Sequence, residues 1–209
     1  MYRPLSALRL MASLLMLVVL TACTADHKWA SDAEVARARY VDPNPPSITL
    51  FTSINSRDKT GAHAGLMING SERVLYDPAG SFAHSAAPER EDLLYGMTPT
   101  MLSFYVDFQG SGVFKVTEQT VYVTPEVAER VKLAAIAYGS ADKATCTRAI
   151  ATVLQGVPGF ESLPMTWFPK AMMRGFAKLP GVQTQTLTSA DGPLRRMLPG
   201  SPLGAMPNS

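Results

Sequence analysis

Ala62-His63-Ala64-Gly65-Leu66-Met67-Ile68-Asn69-Gly70-Ser71-Glu72-Arg73-Val74-Leu75-Tyr76-Asp77 sets two apolar runs on either side of an Asn-Gly pair. That dipeptide is the strongest short-range hairpin signal, because both residues accept the positive φ that a two-residue turn matching strand twist requires. The stretch reads as a strand over residues 62–68 and a returning strand over 72–76. If Asn69 and Gly70 are the turn, Ile68 faces Ser71, and counting back puts His63 close to Tyr76 and Asp77 at the open end. A histidine and a carboxylate are thus expected side by side on paired strands.

Upstream, residues 47–54 form a β-branched and aromatic run that reads as a further strand. Downstream, residues 113–123 alternate well enough for a strand, and Thr124-Pro125-Glu126 then offers an N-cap, a proline at the first helical position and an acid in the first turn. The helix so opened is expected to run to about Tyr138, with Gly139 stopping it. A second helix is expected from about Lys143 to Gln155, with Ala149, Ile150, Val153 and Leu154 on one face and Gly156 past its end. Cys146 falls in its first turn. Residues 88–97 read as a short helix, and 101–108 fit strand or helix equally. No internal repeat is present. The expected fold class is α+β, a small antiparallel sheet packed against helices, over residues 47–188.

The two ends read differently. Arg3 and Arg9 precede the apolar run 10–20, which has the form of a secretory signal and is shorter than the ~20 apolar residues a spanning helix needs. Leu20-Thr21-Ala22-Cys23 resembles the bacterial lipobox, which implies removal of residues 1–22 and acylation of Cys23. Thr24, standing where an Asp would resemble an inner-membrane retention signal, implies the outer membrane facing the periplasm. Residues 23–46, ending in Asp42-Pro43-Asn44-Pro45-Pro46, read as a lipid-attached tether, the alternative being a helix over 31–38 docked on the domain. Residues 189–209, rich in Pro, Gly and Ser, read as a disordered tail.

The whole-chain excess of two positive charges resides in Arg3 and Arg9, so the remainder carries 17 basic and 17 acidic residues (19 − 2 against 17). That balance, with basic residues scattered singly apart from the Arg195-Arg196 pair in the tail, excludes a nucleic-acid footprint and a polybasic membrane patch. Contact with the membrane is expected only through lipid on Cys23.

With Cys23 acylated, Cys146 is the one remaining thiol of the 2 cysteines, so no intramolecular disulfide can form in a compartment that favours them. It is either a small buried hydrophobe or a reactive group. A thiol is a strong nucleophile as the thiolate, which a helix N-terminus stabilises through unpaired N–H groups and dipole. It then needs a histidine to take its proton and a third group to orient that histidine. Of the 3 histidines, His27 lies in the tether segment and His84 in a loop without a neighbouring carboxylate, which leaves His63 with Asp77. The bland readings are a core histidine for His63 and a turn cap at Asp77-Pro78-Ala79-Gly80 for Asp77. Met165, Trp167, Phe168, Met172, Met173 and Phe176 either line a groove or belong to the core. The wide spacing of His and Cys matches no metal-ligand pattern, and no cofactor is expected.

Residues 62–68 followed by 73–77 resemble the His strand and neighbouring polar-residue strand of the NlpC-like, papain-fold cysteine hydrolases. In the common members the Cys helix comes first. Here His63 precedes Cys146 by 83 residues (146 − 63), an order similar to the circularly permuted branch that includes relatives of lecithin:retinol acyltransferase. Residues 124–129 and Thr145-Cys146-Thr147 are similar to the later half of that branch, and the resemblance spans about residues 47–160. Thr145 departs from it, since relatives often have Asn or another polar residue before the cysteine, and the third position is often His, Asn or Gln where this chain has Asp77. The resemblance implies a permuted papain-like fold and an envelope hydrolase acting on amide or ester bonds of a peptide or acyl substrate, with Cys146, His63 and Asp77 as catalytic residues. The alternative is an inert lipoprotein that binds peptidoglycan, lipid or a partner protein. Oligomeric state and the particular substrate do not follow from the sequence.

Overall fold

The hairpin that opens the sequence reading lies beside the centre of the sheet. In the computed structural model, which describes Ala25 and residues 27–187, β1 (Ser47–Asn55) pairs antiparallel with β2 (Gly61–Asn69) on one side and with β6 (Phe114–Tyr122) on the other. β3 (Arg73–Tyr76), β5 (Leu93–Leu94) and β4 (Glu89–Arg90) continue one flank, and β7 (Gln183–Leu187) adds to β6 on the other. The result is one seven-stranded antiparallel sheet in the order β4-β5-β3-β2-β1-β6-β7. The α+β expectation holds at this level. Both faces are covered, so β1 is a nearly continuous buried run and not an alternating one.

Ile48, Leu50, Ala64, Leu66 and Ile68 face the helices α3 (Pro125–Tyr138), α4 (Cys146–Leu154) and α5 (Pro169–Phe176). Phe51, Met67, Leu75 and Val116 face the other way, against α2 (Pro99–Gln109). Thr98 caps α2 through Met101 N, with Pro99 following, which resolves residues 101–108 as helix. Thr124 caps α3 and Gly139, at φ 75°, ends it.

Four expectations need correction. The β2–β3 connection is not a two-residue turn: Asn69 pairs with Arg73, and Gly70, Ser71 and Glu72 form the loop. Asn69 is retained in the strand because its amide nitrogen donates to Asn44 O and Pro45 O at 3.2 and 3.1 Å, while the loop is held by Glu129, which accepts from Ser71 N at 2.8 Å. Ile68 therefore pairs with Val74, three positions from the expected Ser71. Residues 88–97 are the β4–β5 hairpin and not a helix, turning on Glu91 and Asp92, whose φ values are 49° and 63°. Two successive positive values are those of the hairpin turn usually made by Asn-Gly, and this pair lacks that signature.

The α4 helix begins at Cys146 itself, after a turn in which Ala144 has φ 64°. Finally, the expected tether is docked over most of its described length. Ser31 and Glu34 make a reciprocal capping box that opens α1 (Asp32–Ala38), and Trp29 bridges to Arg90 at the sheet edge. The buried Asp42 carboxylate pairs with the Arg73 guanidinium, which lies 4.8 Å over the Tyr40 ring. The helix-docked alternative for this segment is the one found. Residues 1–22, Cys23 and the tail 189–209 lie outside the described residues. No described helix is long and apolar enough to cross a membrane.

Candidate active site

β3 pairs with β2 only from Leu66 to Asn69, so the stretch Gly61–Gly65 has no strand on that side. Its β1 pairing also slips: Ser53 faces His63 but Ile54 faces Gly61, which leaves Ala62 as an extra residue. Such a bulge bends a strand and re-aims the neighbouring side chain. His63 sits at this point, its side chain 17% exposed.

Beyond β3 the chain turns at once, closed by Gly80 N donating to Asp77 O at 2.9 Å, with Ala79 at φ 55°. The carboxylate of Asp77, 4% exposed, approaches His63, with Oδ1 2.7 Å from Nε2. A Cβ at Gly80 would lie 1.9 Å from Asp77 Oδ2, so only glycine leaves the carboxylate room in this turn. Pairing by the observed register puts Asp77, and not Tyr76, on the same sheet face as His63 and Met67.

That face is also where α2 packs. Tyr105, fully buried, donates from its hydroxyl to the same Asp77 Oδ1 at 2.8 Å. Its ring is set edge-on against Phe51 and Phe82, with centroids 5.8 and 5.4 Å away. The approach passes over Gly65, where an added Cβ would fall 2.2 Å from the phenol oxygen and 3.3 Å from Asp77 Oδ1.

Cys146 arrives from the other face. Ala149, Ile150, Val153 and Leu154 of α4 pack with Ala64, Leu66 and Ile68, which presses the first residue of the helix into the gap where β3 has ended. Its sulfur, in a residue 6% exposed, lies close enough to the His63 ring and the Ala64 backbone N–H for both to act on its acidity. With Nε2 engaged by Asp77, Nδ1 is the ring atom left for the thiol.

The charges follow from this packing. Burial alone pushes the Cys146 thiol up, but His63, the Ala64 N–H and Thr147 outweigh it and hold the thiol below its ordinary value. Burial likewise opposes a charged His63, yet Asp77 and Cys146 raise it from 6.5 to about 10. A thiolate–imidazolium pair is the state these groups favour.

Asp92 ties the parts together. Buried, its Oδ2 accepts from Ala79 N and Ala141 N, both at 2.8 Å, and its carbonyl accepts from Asp77 N at 2.8 Å. One residue thus joins the loop of Asp77 to the loop leading to Cys146. Burial and nearby Asp77 push its carboxyl above the ordinary range, against the two amide donors.

The other histidines lie apart from this centre. His27 Nδ1 is 2.8 Å from Glu91 Oε2, which also accepts from Ser140 N at 3.2 Å. His84 stacks on Phe104 at 5.4 Å, and its Nδ1 accepts from Ala86 N. Among the described residues no group of three or more His, Cys, Asp and Glu side chains is placed to hold a metal. The Met and aromatic segment divides: Met172 and Phe176 are core, whereas Met165, Trp167 and Phe168 are exposed, with Arg148 5.1 Å over the Trp167 ring.

Sequence reasoning named Cys146, His63 and Asp77 and missed Tyr105, Gly65, Thr147 and Asp92. The one available signal was Gly65 inside a strand run, which marks close approach of another group. No family model, curated protein or solved structure matches the chain.

Proposed function

We propose that this chain is a lipid-anchored cysteine hydrolase of the bacterial envelope, a permuted papain-like enzyme held by acyl chains on Cys23 and facing the periplasm from the outer membrane. The observation that carries the reading is the convergence of Cys146, His63 and Asp77 from the start of α4, the bulged start of β2 and the turn after β3, with His63 bound to Asp77 at 2.7 Å and close enough to Cys146 for each to shift the other's acidity. A thiol, a ring and a carboxylate in series have the composition and order of a nucleophile, its base and the orienting group.

In the reaction, the Cys146 sulfur adds to the carbonyl carbon of an amide or ester, and the oxyanion is received by the Cys146 backbone N–H at the helix start. The His63 imidazolium gives its proton to the leaving nitrogen or oxygen as that bond breaks, leaving a thioester. Water, deprotonated by His63, then attacks the thioester, releasing the acid and restoring the thiol proton to the pair. Asp77 holds Nε2–H and so keeps Nδ1 turned to the sulfur. Cell-wall peptides and acyl esters are the two substrate classes that the family resemblance supports.

One observation favours a second reading, an inert lipoprotein that binds peptidoglycan, lipid or a partner: Cys146 is only 6% exposed. Iodoacetamide across pH separates the two. A hydrolase labels at Cys146 with a midpoint below the ordinary thiol value of 9.0; a sulfur that stays unlabelled in the native protein rules the enzyme out. Cys146→Ala and His63→Ala are each expected to abolish turnover with the fold intact. For the anchor, Cys23→Ser is expected to move the protein from the membrane to the soluble fraction, and unchanged membrane retention would remove the lipid assignment.

A further inference from the structure

We propose that Tyr105 is a positioning residue of this site, its phenol holding the Asp77 carboxylate on His63 and thereby maintaining the Cys146 thiolate. The inference rests on the hydrolase reading above. Phenol and imidazole share one acceptor: Asp77 Oδ1 receives the Tyr105 hydroxyl at 2.8 Å and faces His63 Nε2 at 2.7 Å. A buried carboxylate must be met by donors. If the phenol is removed, His63 becomes the one donor left on that oxygen, and the carboxylate can turn about its own bond.

The phenol is itself fixed. Tyr105 is fully buried with its ring edge-on to Phe51 and Phe82, so it cannot follow a moving carboxylate. Burial and the adjacent Asp77 hold its hydroxyl well above the ordinary value, so it remains a donor throughout the range in which the thiolate forms. The β2 strand lacks a side chain where the phenol passes, since any Cβ at position 65 would occupy the path of the phenol oxygen. A tyrosine kept for its ring alone would not need that opening. Of the groups near this centre, Asp77 meets the phenol directly and the Gln109 side chain also acts on it, Cys146 acts on it through its charge, His63 reaches it through Asp77, and Asp92 and Glu89 feel the charge of Asp77.

The test is iodoacetamide labelling of Cys146 as a function of pH, read by peptide mass spectrometry on the detergent-solubilised full chain. The wild-type midpoint is expected below 9.0. Tyr105→Phe is expected to raise it by about one unit, roughly tenfold less thiolate on the acid side. Gly65→Ala keeps the phenol but puts a methyl group against it, and is expected to shift the midpoint the same way. Val106→Ala removes volume from the same core layer at another buried α2 residue and is expected to leave the midpoint in place, separating a positioning role from general loss of packing. A Tyr105→Phe curve that superimposes on wild type, or a Val106→Ala shift as large as that of Tyr105→Phe, overturns the inference while the hydrolase reading stands. A wild-type midpoint at the ordinary thiol value overturns both.

Discussion

Replacing Asp77 by Asn keeps the side-chain shape and one acceptor oxygen but removes the charge that opposes burial of the His63 ring. His63 is raised from 6.5 to about 10, a net change of about 3.5 units (10 − 6.5) sustained by Asp77 and Cys146 against desolvation. Asp77 is the foremost of the groups that raise the ring, and each unit lost with it is worth on the order of 1 kcal/mol to the protonated ring, or ~10-fold in ion-pair population at fixed pH. Asp77→Asn should therefore bring the His63 midpoint down by about a unit or more, and Cys146, losing its cation, should become a weaker acid. The sign is set by which form each neighbour favours: a carboxylate stabilises imidazolium, and imidazolium stabilises thiolate. Nitrogen-15 imidazole NMR of the full chain across pH reads the first change and pH-dependent alkylation reads the second. A His63 midpoint in Asp77→Asn within half a unit of wild type would show that the carboxylate does not set the state of the ring, and the ordering of the three groups would have to be abandoned.

Asp92→Ala leaves the Ala79 and Ala141 amides without their buried acceptor, so a loss of about 2–5 kcal/mol is expected in urea unfolding; Asp92→Asn keeps an acceptor oxygen and should cost less, and equal losses would deny the clamp. Asp42→Ala strands the buried Arg73 guanidinium, with an expected cost of about 3–5 kcal/mol, and a loss under 1 kcal/mol would mean that the N-terminal segment is not integral to the fold. Between pH 9.0 and about 10 the folded chain retains a proton on His63 while an unfolded chain has lost its protons from both His63 and Cys146. Stability should thus fall with rising pH across that window and level off above it, a slope that His63→Ala should erase in denaturant titrations.

The parts of the fold legible in the sequence are those that depend on neighbours in the chain. The N-cap and proline of Thr124-Pro125, the stop at Gly139 and the apolar runs of β1, β2 and β6 are local signals, and each marks a real boundary to within a residue or so. The hairpin is more instructive. Its turn was expected to be two residues because Asn69-Gly70 has the right φ preferences, but the Asn69 amide is occupied with Asn44 and Pro45, and the register slips by three. An odd slip exchanges the faces of the returning strand. Asp77, and not Tyr76, is thereby brought onto the face of His63, so the expected partnership is present for a reason other than the one that suggested it.

Tyr105 and Asp92 were beyond such reasoning. Tyr105 reaches the site because α2 crosses the face of the sheet opposite to α4, and Asp92 acts through a turn that lacks the usual sequence signature. Neither juxtaposition has any counterpart in residue spacing.

The docking of the N-terminal segment bears on where such an enzyme can work. His27 is held at Glu91, and Lys28 to Ala30 lie along the edge of the sheet. Only four peptide steps separate His27 from Cys23, a reach of at most about 14 Å. On the proposed acylation, the body would have no long leash with which to sweep the periplasm. It would ride within one short span of the lipid headgroups, β4 edge inward, and act on molecules presented at that surface.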